Sequence, residues 1–145
     1  MAIQIGDKAQ PFTLPAASGK TITVDPAASV ATVVVWTCNH CPYAMAWHER
    51  LQQVARDYRS KGVEFIQINA NDAEKYPDDS FESMQQRVQA GELETEYLWD
   101  EDQAFSKSWG AKVTPDVFVF DSNGVLSYRG APDSNYEDES QNASY

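Results

Sequence analysis

Cys38 and Cys41 are the residues of this chain whose type and spacing best suit chemistry. They stand in Trp36-Thr37-Cys38-Asn39-His40-Cys41-Pro42, after the apolar run Val30 to Val35 and before an amphipathic segment that reaches about Lys61. A buried strand that feeds a helix through Cys-x-x-Cys sets two thiols at the helix N-terminus. Unpaired backbone N–H groups and a partial positive charge there favour thiolate over thiol. One helical turn of separation brings the two sulfurs within disulfide reach without backbone movement. His40, lying between them, adds charge or a hydrogen bond to the same sulfur. The chain has 2 cysteines, so any thiol chemistry runs through this motif. The first reading is a redox pair.

Two other readings share the motif. Cys-x-x-Cys is half of a zinc site, but tetrahedral zinc needs four ligands, commonly from a second Cys or His cluster. His40 and His48 are the chain's 2 histidines, with no second Cys-x-x-Cys and no His-x-x-x-His. A structural disulfide closing so small a loop would constrain the unfolded chain little. With strand-then-helix context around it, redox stands ahead of metal and a purely structural pair behind both.

The elements that position the motif alternate in type. Phe12-Thr13-Leu14 and Thr21-Ile22-Thr23-Val24 read as short extended pieces around a Ser18-Gly19-Lys20 turn, and Asp25-Pro26 breaks the chain. Val30 to Trp36 is β-rich without alternation, the pattern of a strand buried on both faces. A helix from about Asn39 to Ser60 puts Ala44, Trp47, His48, Leu51, Val54, Ala55 and Tyr58 on one side. His48, on or beside that stripe, reads as a packed histidine. Lys61-Gly62 ends the helix. Val63 to Asn69 is the next strand. A polar insertion follows, with a helix from Ser80 to Ala90, Asp79 to Glu82 having capping-box spacing. Tyr97-Leu98-Trp99 is extended. Asp100 to Gln103 opens a further helix with acids in its first turn, and Gly110 closes it. Thr114-Pro115 leads into a hairpin of Val117 to Phe120 and Val125 to Tyr128 around Asp121-Ser122-Asn123-Gly124. Such alternation indicates an α/β layer fold with an antiparallel edge, whose ligands bind beyond the carboxyl ends of the strands. Cys38, Asn69, Asn71 and Asp72 all follow such ends.

Composition narrows the partners. At 145 residues, 42% hydrophobic and 12% aromatic, the chain is expected to form one domain over 1–145 with a real core. Residues 131–145 read as a polar, poorly ordered tail. Residues 1–62 carry 6 Lys/Arg against 4 Asp/Glu, whereas 63–145 carry 5 against 18. That acidic balance argues against nucleic acid or an anionic membrane as partner. No apolar run is long enough to span a bilayer. Met1 to Asp7 has neither the basic nor the apolar region of a secretory leader, so the expected location is cytoplasmic. A periplasmic form with its leader removed would read the same way.

Cys38-Asn39-His40-Cys41 after a central strand, Thr114-Pro115 before a strand that begins a hairpin, and the βα order between them resemble the thioredoxin-like superfamily. Ile5-Gly6-Asp7-Lys8-Ala9-Gln10-Pro11-Phe12-Thr13-Leu14 is similar to its redoxin branch, which includes alkyl hydroperoxide reductase/thiol-specific antioxidant proteins and TlpA-like reductases. The resemblance covers roughly residues 3 to 130. It implies a three-layer sandwich: a central mixed sheet with an N-terminal extended extension and a C-terminal hairpin. It also implies a cis Pro115 lying against the cysteine pair, with Thr114 offering backbone groups to a substrate strand and Trp36 contributing to substrate binding.

The sequence departs from the family in three places. Peroxiredoxins place Thr three positions, and Pro seven positions, before their peroxidatic cysteine; here those are Val35 and Ala31. Thioredoxins carry a buried acid six residues before the first cysteine; here it is Thr32. The superfamily's final helix has no counterpart in polar Ala131 to Tyr145. A final helix missing in this way implies a sheet face covered by a second copy, as in a homodimer, or by residues of a longer protein.

The function expected from these residues is thiol–disulfide oxidoreduction without a cofactor. Cys38 attacks a protein or small-molecule disulfide, Cys41 resolves the mixed disulfide, His40 acidifies Cys38, and a reductant recycles the pair. The competing expectations are a thiol peroxidase using the same two cysteines, and a module that binds metal or a client protein through Cys38, His40 and Cys41.

Overall fold

The computed structural model describes residues 3–37, 42–70, 80–93, 95–100, 103–111 and 116–130, with only the backbone of 42–46. Seven strands and three helices lie within them. The β-branched run before the cysteine motif forms β3, Ala31–Thr37, at the centre of a five-stranded sheet. Its parallel neighbour is β4, Val63–Asn69, and beyond that lies β5, Glu96–Trp99. On its other side are antiparallel β6, Asp116–Phe120, and β7, Leu126–Gly130. The order is therefore β5-β4-β3-β6-β7, a mixed sheet with an antiparallel edge, as the sequence indicates. An extra residue between the Val119–Tyr128 and Phe120–Leu126 pairs keeps Leu126 beside Phe120.

Period-two alternation sorts the strand residues between two faces. Val34, Trp36, Ile66, Ile68, Leu98, Phe118, Phe120 and Leu126 gather in one apolar cluster. It is roofed by α3, Ala104–Trp109, and by the N-terminal hairpin of β1, Phe12–Pro15, and β2, Thr21–Val24. Two isolated bridges, Lys8 to Val125 and Ala16 to Leu98, tie that extension to the sheet. The opposite face carries Val33, Val35, Phe65, Val117 and Val119 under Trp47 and Leu51 of α1, Pro42–Arg59. Beside α1, helix α2, Phe81–Gln89, covers Tyr97 through Met84, Phe81 and Val88.

Several local expectations need correction. Val54 and Tyr58, placed on the apolar stripe of α1, are exposed, whereas Gln52 is buried. Helix α2 is capped by Ser80, which accepts from the Ser83 backbone N–H at 3.1 Å, so Ser83 and not Glu82 holds the box position. The third helix starts at Ala104 rather than in Asp100 to Gln103, because Gln103 adopts a left-handed φ of 64°. The first turn consequently holds no acid. Gly110 ends α3 at a positive φ, as expected of a helix C-terminus. Ala131 to Tyr145, expected to be a polar tail without a covering helix, lies outside the described residues, and so does the start of the first helix at 39–41.

Candidate active site

The carboxyl ends of β3 and β4 lie side by side, Thr37 opposite Asn69. Chain connectivity sends the cysteine motif from the first of these ends directly into α1 at Pro42. A proline in the first turn of a helix forfeits no hydrogen bond, since that N–H has no intrahelical partner. Cys38, His40 and Cys41 lie outside the described residues, as do Thr114 and Pro115. What the structure describes is the frame that holds both segments. Strand β6 begins directly after Pro115, with Asp116 paired in register to Trp36, two residues ahead of Cys38. The two segments singled out from sequence therefore leave adjacent strands at neighbouring register positions.

Trp36 is in the core, with 2% of its surface exposed. Its ring packs against Phe105, Trp109 and Phe118, with centroids 5.1 to 6.0 Å apart. Its Nε1–H donates to Ser106 Oγ at 2.6 Å. Its donor is used and its ring is packed against three aromatic neighbours. The position supports the sheet at the motif.

Thr32, where an acid would stand in thioredoxins, is fully buried and donates its hydroxyl to Pro26 O at 3.2 Å. Val35 is buried against Trp47, Leu51 and Val117. Neither side chain offers a polar group towards the cysteine motif.

Two carboxylates that the sequence reading did not single out as site residues do lie buried at this end of the sheet. Asp116 Oδ2 is 3.4 Å from Arg129 Nη2. Arg129 also donates to Gly110 O at the end of α3, and its guanidinium sits 4.7 Å over the Phe118 ring. Asp100 Oδ2 accepts from the Ser106 backbone N–H at 2.7 Å and from Ser106 Oγ at 2.6 Å. In sequence, Trp36 and Ser106 are 70 residues apart. The one available signal was that a buried tryptophan needs an acceptor for its N–H.

His48 is packed, as expected, with 8% of its surface exposed. Its Nε2 is 2.8 Å from Glu92 O, and Arg87 Nη2 lies 3.2 Å from Nδ1. Those partners suit a neutral ring that donates from Nε2 to the carbonyl and accepts at Nδ1 from the guanidinium. Burial pushes its pKa below the ordinary histidine value, and the Arg87 charge acts the same way. The hydrogen bond to Glu92 O and the Glu49 and Glu92 carboxylates oppose that shift. Both ring nitrogens face α2 and its following turn.

The family model described as Redoxin matches residues 4–145. The chain belongs to the Redoxin family. A curated relative, the thiol:disulfide interchange protein DsbE of Haemophilus influenzae, is 31% identical over 101 residues, covering 70% of this chain and 50% of that protein. The chain thus spans about half the length of the curated relative. Among solved structures, an uncharacterized conserved protein from Geobacillus kaustophilus superposes with a TM-score of 0.86 at 38% identity, covering 92% of this chain and 71% of the other. The thioredoxin domain of a thiol-disulfide oxidoreductase from Bacteroides vulgatus superposes with a TM-score of 0.71 at 11% identity, covering 88% and 89%. At that identity the likeness speaks to fold alone, and the fold of this redoxin is thioredoxin-like.

Proposed function

We propose that this redoxin is a thiol–disulfide oxidoreductase acting through Cys38 and Cys41. The observation that carries the reading is the placement of Cys-x-x-Cys between the carboxyl end of the central strand β3 and the first residue of α1. An 18-residue helix has a positive N-terminal end that stabilises a thiolate there. The thiol:disulfide interchange relative supports the same chemistry. The Cys38 thiolate attacks one sulfur of a substrate disulfide, forming a Cys38–substrate bond and expelling the other sulfur as thiolate. Cys41, after losing its proton to solvent, attacks Cys38 Sγ. The Cys38–Cys41 disulfide forms, the second substrate thiolate leaves, and two electrons have passed to the substrate. A dithiol reductant returns them in the next cycle. His40 acidifies Cys38, and the Thr114–Pro115 backbone receives the extended substrate.

Reduction of insulin disulfides by wild type, Cys38→Ser and Cys41→Ser protein tests this. Cys38→Ser is expected to abolish turnover, and Cys41→Ser to accumulate mixed disulfides visible by mass. Turnover surviving in Cys38→Ser would overturn the assignment. Rapid oxidation by peroxide with no disulfide exchange would replace it with a peroxidase, and stoichiometric metal in the reduced protein with a binding module.

A further inference from the structure

The aromatic cluster under α3 contains one polar thread that the exchange chemistry does not use. Trp36 Nε1–H donates to Ser106 Oγ at 2.6 Å, and Ser106 Oγ–H donates to Asp100 Oδ2 at 2.6 Å. All three side chains are buried, with Ser106 at 5% and Asp100 at 2% exposure. The direction of the thread is fixed. Indole can only donate, an ionised carboxylate can only accept, and the hydroxyl between them does one of each. Asp100 is itself anchored, since its backbone N–H donates to Asn69 O at 3.0 Å. Three residues later the Gln103 side chain donates to Ala70 O at 2.7 Å. Helix α3 is therefore fastened to the carboxyl end of β4 by its entry and to the carboxyl end of β3 through Trp36.

Core packing alone does not call for this arrangement. A buried carboxylate is costly to desolvate, and apolar groups of the same shape could fill the space without it. What the thread supplies is direction: it fixes the indole, and with it the last residues of β3. Cys38 lies two residues beyond Trp36, at most about 7 Å of chain. Stabilisation of a thiolate by helix N–H groups weakens steeply as distance and angle depart from optimum.

We propose, on the oxidoreductase reading above, that Asp100 and Ser106 are positioning residues for the cysteine pair, acting through the Trp36 indole. Breaking the thread loosens the end of β3, raises the Cys38 pKa and makes the pair more reducing. Coupling of this kind is reciprocal, so oxidation of the pair must also register at the Trp36 N–H.

The experiment is the equilibrium of the full chain with reduced and oxidised glutathione, with the Cys38 pKa from alkylation against pH. Ser106→Ala and Asp100→Asn are each expected to shift the equilibrium towards the oxidised protein by about threefold or more, roughly 14 mV. In a Trp36→Phe background, Ser106→Ala should add nothing, because the indole it served is gone. A merely structural role would lower stability and leave equilibrium and pKa in place. Should a variant fail to fold, wild type still decides. The Trp36 indole N–H resonance, assigned by its loss in Trp36→Phe or from backbone connectivities, is expected to differ between the reduced and oxidised proteins. A wild type that exchanges with glutathione, with variants within error of it or an indole resonance blind to redox state, overturns this assignment alone. A wild type that does not exchange overturns the oxidoreductase reading and this inference with it.

Discussion

The two faces of the sheet solve the problem of burial differently. Under α3 the side chains form a continuous apolar cluster in which Phe12, Trp36, Phe105, Trp109, Phe118 and Phe120 meet edge or face. Its polar members are threaded together by hydrogen bonds. Under α1, among the described residues, the buried apolar cluster is Val35, Trp47, Leu51 and Val117, with Val33, Phe65 and Val119 partly covered. Glutamines stand where the other face has rings. Gln52 Nε2 donates to Gln67 Oε1 at 2.8 Å, Thr95 Oγ1 donates to the same oxygen at 2.9 Å, and Gln67 Nε2 finds no hydrogen-bond partner among the described residues. The six-residue α3 holds its face through the rings of Phe105 and Trp109. The 18-residue α1 meets its face with Trp47, Leu51 and the buried Gln52. Among the described residues, the long helix that follows the cysteine motif therefore rests on the less apolar side.

The sharpest way to break this comparison uses neighbours on one strand. Phe118→Ala should cost about 3–5 kcal/mol, as large-to-small changes in a filled core do. Val119→Ala, one residue on and facing α1, should cost about 1 kcal/mol, since fewer methyl groups leave a half-covered site. Urea unfolding measures both, and equal losses would remove the asymmetry.

The glutamine pair gives a smaller effect and a sharper pattern. Gln67→Leu strips Gln52 and Thr95 of a shared acceptor and should cost about 1–3 kcal/mol. Gln52→Leu combined with Gln67→Leu should recover most of that loss, because the amide acceptor and its principal donor go together. A double variant no better than the single would show that the pair is not the unit.

His48 makes the contact between α1 and α2 sensitive to pH. Its folded pKa is depressed, so as pH falls below about 6.5 the unfolded chain binds the proton first. The stability His48 contributes is thus complete above that value and is lost progressively as pH falls towards the folded pKa. Arg87, Glu92 and Glu49 are the charges acting on it. Unfolding free energies from pH 8 to 5 should fall more steeply for wild type than for His48→Gln, and parallel curves would refute the role. Smallest of all, Val54→Ala on the exposed side of α1 should change stability by about 0.5 kcal/mol or less.

Strand positions, strand types and the cysteine motif were legible in sequence because each is written locally. Val63 to Asn69 reads as a strand from its own residues, and β4 has those bounds. Gly110 marks the end of a helix by its tolerance of positive φ alone. The α/β layer class and the antiparallel edge followed from alternation of strand and helix, a rule of chain connection rather than of particular side chains, whereas the order of the strands came from the structure.

What tertiary structure decided was which polar groups went inside. Gln52 stood outside the apolar stripe expected of α1, and it is Gln67, on the strand beneath, that gives it a buried partner. Asp100 read as a first-turn acid until the left-handed turn at Gln103 swung the helix start away and aimed the carboxylate at Ser106. Trp36 read as a residue near the cysteine motif, and α3 supplies the rings and the hydroxyl that pack and pair with it. Hydrophobic burial is set by each residue's own transfer energy and shows in one dimension. A polar group is buried only where another supplies the complementary hydrogen bond. That partner can lie 70 residues away, where no local pattern of the sequence can point to it.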